Sequence, residues 1–67
     1  MPEPTPTILA LRPKDAARAI GFSVRALEEW RREGRGPAYL RVGTRIVYPV
    51  TALEEWLRQQ VRAQEGA

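Results

Sequence analysis

Between Ala16 and Trp30 the chain carries two short stretches of helical apolar spacing, broken by Gly21-Phe22-Ser23. That break limits the fold more than any other feature. Before it, Ala16, Ala17 and Ile20 share one helical face; after it, Leu27 and Trp30 do, with Val24 partly buried beside them. Glycine ends a helix readily because it tolerates the left-handed backbone just past the last turn. Serine starts one because its hydroxyl accepts an orphan backbone N–H. The spacing therefore predicts two short helices joined by a tight turn, packed closely because the facing residues are alanines, with Phe22 plugging the core.

The flanks complete the domain. Leu11-Arg12-Pro13-Lys14-Asp15 reads as the start of the first helix: proline suits the first helical position, and Asp15 meets the helix dipole in the first turn. Gly34 is a stop for the second helix and Gly36-Pro37 a loop. Leu40, Val42, Ile46 and Tyr48 then alternate with Arg41, Arg45 and Val47 about Gly43-Thr44, which predicts a β-hairpin closed by a type II′ turn. Two strands are unstable alone, so the hairpin must lean on the helices. Thr51-Ala52-Leu53-Glu54 reads as a capping box ahead of a last helix. Its stripe is Leu53, Trp56, Leu57 and Val61, and Glu54 is placed to pair with Arg58. The expected organisation is a disordered, proline-rich arm over 1–7, one domain over 8–62 and a frayed tail over 63–67. There is no internal repeat.

Composition narrows the function. Sixty-seven residues support one modest core, burying about 60% of the unfolded surface. With no cysteine and no histidine, thiolate and imidazole metal sites and the commonest general base are absent. The one serine, Ser23, has no activating neighbour. We expect no enzyme, metal or cofactor. No apolar run is long enough for a membrane span and the N-terminus lacks signal-peptide character, so the expected location is cytoplasmic. From Ile8 to Pro49 there are nine basic residues and four acidic ones, a concentrated positive field that favours a polyanion. Arginine supplies nearly all of it, which suits forked contacts to phosphates and guanine edges.

In this order and spacing, several pieces resemble one family. They are Ala16-Ala17 before Ile20-Gly21-Phe22-Ser23; Leu27-x-x-Trp30-Arg31-x-Glu33-Gly34; Gly36-Pro37-x-Tyr39-Leu40-x-Val42-Gly43-x-Arg45-Ile46-x-Tyr48; and Leu53-x-x-Trp56-Leu57. Together, from about Leu9 to Leu57, they resemble the excisionases, small winged helix-turn-helix proteins related to the MerR-type DNA-binding domain. The resemblance implies a mostly helical fold in the order α-α-β-β-α, with the second helix in the major groove and the hairpin wing on the adjacent minor groove or backbone. It also implies a recombination directionality factor of a mobile element, which bends DNA beside an attachment site and biases an integrase toward excision. A small transcriptional regulator is the alternative. A protein-interaction adaptor that kept only the fold is the second.

Carried over by residue, the resemblance places Ser23, Val24, Arg25, Ala26, Glu28, Glu29 and Arg32 on the reading face, and Gly43, Thr44 and Arg45 at the wing tip. Two places depart from the family pattern. Arg12-Pro13 stands where helix one often begins with Ser or Thr, and Glu28-Glu29 stands where an aromatic and a basic residue are frequent. Arg25 either forks onto guanine or pairs with Glu29; the DNA contact is preferred. Glu28 and Glu29 either accept from cytosine or pair with Arg32, and the pairing is preferred. Arg31 and Arg32 are expected to anchor phosphates, Arg45 to enter the minor groove or lie along the backbone, and Arg41 to be a weaker phosphate contact. Trp30 and Trp56 fall on core stripes rather than on a base-stacking platform. With no long dimerisation helix, the chain is expected to be a monomer in solution whose copies line up side by side on double-stranded DNA.

Overall fold

The computed structural model describes residues 8–66, and the arm expected over 1–7 lies outside them. The elements are β1 (Ala10–Leu11), α1 (Pro13–Ile20), α2 (Val24–Glu33), β2 (Leu40–Val42), β3 (Arg45–Pro49) and α3 (Val50–Glu65). The architecture is a mostly helical winged helix-turn-helix, with one element more than the sequence predicts. Strand β1 precedes α1 and pairs antiparallel with β3, Ala10 opposite Pro49 and Leu11 opposite Tyr48, so the sheet order is β1-β3-β2. Two residues are too few to show alternation; β1 forms because β3 would otherwise present an unpaired edge.

Local chemistry sets the helix ends. Pro13 occupies the first turn of α1, with Asp15 beside it. Gly21 N–H donates to the Arg18 carbonyl and Phe22 N–H to that of Ala17; Gly34 and Arg35 repeat the pattern onto Arg31 and Trp30. Both are Schellman closures around a left-handed glycine. Ser23 Oγ accepts the Ala26 N–H at 3.1 Å and starts α2 as expected.

The buried cluster is Ala16, Ala17, Leu27, Tyr48 and Leu53, with Leu11, Ile20, Val24, Trp30 and Ile46 packed against it. Phe22 does not plug this core. It is 48% exposed and stands edge-on to Trp30 and Trp56, ring centroids 4.9 and 5.8 Å away. The two indoles lie 5.2 Å apart. Alanines at 16 and 17 already let Leu27 fill the space between the helices, which leaves Phe22 to cover the outer sides of the indoles.

The hairpin forms where expected. Gly43 has φ +64° and Thr44 does not turn positive, the signature of a II′ turn. Its inward set differs, however. Leu40 pairs with Val47, Arg41 with Ile46 and Val42 with Arg45. A two-residue loop pairs an even-numbered residue with an odd-numbered one, and directly paired residues share a face. Ile46 and Tyr48 therefore face the helices with Arg41. Leu40 and Val42, 54% and 64% exposed, share the outer face with Val47 and Arg45.

Helix α3 starts one residue before Thr51, with no side-chain cap. Pro49 ends β3, and the next N–H, that of Val50, donates to the Leu9 carbonyl at 2.9 Å, so strand runs into helix with no loop for a cap to occupy. Arg58 bonds Glu55 at 3.3 Å rather than Glu54. Leu53 is buried and Trp56 half-buried, while Leu57 and Val61 are exposed where the helix outruns the core; α3 continues past Arg62 to Glu65.

Gly36 marks the closest approach of backbone to core. Its φ is +91°, and a Cβ there would lie 2.9 Å from Trp30 Cβ and 3.0 Å from Trp30 Cε3. Gly36→Ala should cost about 1–2 kcal/mol of left-handed strain plus about 1–3 kcal/mol of crowding. Urea unfolding should show a lower midpoint; an unchanged one would mean that the loop relaxes freely.

Candidate nucleic-acid interface

Helix α2 has two sides. Leu27 is buried, and Val24, Trp30 and Arg31 are half-buried; Arg25, Glu28, Glu29 and Arg32, at i, i+3, i+4 and i+7, form one exposed stripe. The burial of Leu27 against α1 turns that stripe to solvent, so the inner packing aims the outer chemistry.

Among the reading-face candidates, Arg25 opens the stripe with its side chain 88% exposed. Its Nε lies 4.0 Å from Glu29 Oε1, the outer limit of an ion pair. A pair of this kind on an exposed helix is worth about 0.3–0.5 kcal/mol, too little to withhold the guanidinium from a base. Among the described residues, neither Glu28 nor Glu29 pairs with Arg32; the ion pairs found are Arg25–Glu29, Arg35–Glu33 and Arg58–Glu55. The preferred pairing of the glutamates with Arg32 is therefore not made, because both side chains stay in water. Ser23 is exposed at the head of α2 with its oxygen engaged as a cap. Ala26 is half-buried on the first turn, and Val24 packs on the core side, away from the stripe.

The hairpin separates the arginines that flank its turn. Gly43, Thr44 and Arg45 are exposed at the tip. Arg45 stands on the outer face with Val42, whereas Arg41 stands opposite Ile46 on the helix-facing side. An open cleft at the tip is lined by Thr44, Arg45, Ile46, Val47, Arg12 and Pro13, which brings Arg12 into the neighbourhood of the wing. Arg12 escaped the sequence reading because the pairing of Leu11 with Tyr48 was not visible there. No charged side chain is buried among the described residues, so this positive field acts directly on solvent.

Arg31 and Arg32 part company. Arg32 is exposed, while Arg31 is half-buried and its Nη1 donates to Tyr48 Oη at 2.7 Å. The Arg31 guanidinium carbon is 5.8 Å from the Tyr39 ring centroid and 6.0 Å from that of Tyr48. Among the described residues there is no cluster of potential metal ligands and no helix long and apolar enough to cross a membrane.

An exposed helical stripe carrying two arginines and two carboxylates, in a domain whose hairpin is tipped with arginine, suits a groove of base edges between phosphate walls. A family model described as a helix-turn-helix domain matches residues 10–61, from β1 through most of α3. No curated protein matches the chain.

Proposed function

This chain belongs to the helix-turn-helix domain family, a family of DNA-binding modules, and from that premise we propose that it is an excisionase-like architectural protein acting in the cytoplasm on double-stranded DNA. In this reading α2 lies in the major groove, with Arg25 on base edges and Arg32 on the backbone, and the wing reaches the adjacent minor groove through Thr44 and Arg45. The observation that carries it is the exposed Arg25–Glu28–Glu29–Arg32 stripe on the helix that a Ser23 cap and a buried Leu27 hold in place. One such module makes few phosphate contacts and binds weakly. Copies side by side on bent DNA would raise occupancy and favour excision by a partner integrase.

A salt-titrated gel-shift on the DNA flanking the gene, against scrambled duplex, tests this. A cooperative ladder confined to the flanking DNA supports the architectural role. One discrete shift favours a promoter-bound regulator, and no shift at low salt leaves the protein-interaction adaptor. Within the same titration, Arg45→Ala should lower the slope of log affinity against log salt by about 0.9, the release expected for one lost phosphate contact. An unchanged slope would remove Arg45 from the interface.

A further inference from the structure

We propose that Arg31 is a positioning residue: its guanidinium fixes the reading helix against the wing and does not itself hold a phosphate. The inference rests on the DNA-binding reading above.

Arg31 reaches across from α2 to β3 and to the residue that leads into β2. Its Nη1 donates to Tyr48 Oη at 2.7 Å, on β3, and its plane lies near the ring of Tyr39, the residue before β2. The two tyrosine rings are themselves 5.9 Å apart. Tyr48 is 1% exposed, and no buried side-chain N or O among the described residues lacks a partner. Arg31 thus satisfies the hydroxyl of a buried tyrosine. Drawing it out to a phosphate would take away that partner. Its neighbour Arg32 carries the same charge one residue on and has no such duty.

The position of the link gives it its consequence. The backbone of α2 lies closest to that of α1, and Trp30 ties α2 to α3 through Trp56. Arg31 ties it to the strand that continues, through Ile46 and Arg45, to the wing tip. A helix and a wing that enter neighbouring grooves must keep a fixed separation, and this side chain ties the helix to the base of the wing. Guanidinium suits the task because it is planar and can donate to one ring's hydroxyl while lying over another ring; an ammonium does not combine the two.

The test compares the wild-type chain with Tyr48→Phe, Arg31→Lys, Arg31→Met and Arg32→Ala. Affinity is read by fluorescence anisotropy across a salt series on two duplexes, one of mixed sequence and one selected from a random pool by the wild-type chain. Tyr48→Phe keeps the ring and the core volume, so it remains informative even if Arg31→Met folds poorly. On the selected duplex, Tyr48→Phe and Arg31→Lys should each lose about tenfold, and their combination no more than either alone, as expected of two ends of one link. On the mixed duplex the salt slope should stay at the wild-type value in Tyr48→Phe and Arg31→Met, and fall by about 0.9 in Arg32→Ala. Three results would overturn the proposal: a drop of about 0.9 in Arg31→Met, full activity in Arg31→Lys, or an unaffected Tyr48→Phe. Absence of binding by the wild-type chain itself would end the DNA reading and this role with it, and the wild-type arm tells that failure from the others.

Discussion

Leu27→Ala should remove a large part of the protein's stability at 25 °C. Leu27 is wholly buried, and it is the residue of α2 that fills the space over Ala16 and Ala17. Truncating a leucine in such a position costs about 3–5 kcal/mol, because neighbours that are already alanine cannot collapse into the cavity. A chain of this length has roughly 3–10 kcal/mol of total stability, so the loss runs from about a third of it to the whole. Far-ultraviolet circular dichroism and urea titration would show it directly: a transition at much lower urea for Leu27→Ala, or none, against that of the wild type. A fully folded variant with a near-wild-type midpoint would mean that α2 is held by its aromatic contacts rather than by this side chain.

Arg25→Ala should leave the fold intact and relax sequence preference at one base. Its side chain is the most exposed of the ion-paired arginines, and its single partner sits at the limit of interaction, so little stability goes with it. A forked contact to guanine discriminates by about 1–3 kcal/mol, which is roughly a tenfold to hundredfold loss on a selected duplex. Binding to a mixed-sequence duplex should fall much less. Selection from a random pool with wild type and variant would locate the effect: the variant should lose one strongly preferred guanine while keeping the rest of its consensus. Retention of the same consensus would assign Arg25 to the backbone.

The elements differ in how legible they are from sequence. The helix boundaries around Gly21, Ser23 and Gly34 are legible because each is set within a few residues, by a left-handed glycine or a hydroxyl cap. The II′ turn at Gly43-Thr44 is local in the same way. What escapes is whatever depends on a distant strand. Ala10–Leu11 becomes β1 because of β3, and the carbonyl of Leu9 takes over at Val50 the work that Thr51 was expected to do. The hairpin faces were misassigned for a different reason. Apolar alternation within each strand was read correctly, but a two-residue loop shifts the parity between strands, which puts Leu40 and Val42 outside. In the candidate site, the stripe of α2 is the side opposite Leu27 and Trp30, which helical periodicity turns inward, and the family resemblance marks the same residues. The separate fates of Arg31 and Arg32 did not, since adjacent arginines look alike until Tyr48 is placed beneath one of them.

The stacking of Trp30 near Trp56, with Phe22 edging both, gives the protein an optical reporter that needs no label. The two indoles are close enough for their transitions to couple, so near-ultraviolet circular dichroism should carry a strong signal that vanishes when α2 leaves α3, even while each helix persists. Both rings belong to the inward sides of their helices. A shift in tryptophan emission on adding DNA would therefore register α2 moving against α3, and not a base stacking on an indole.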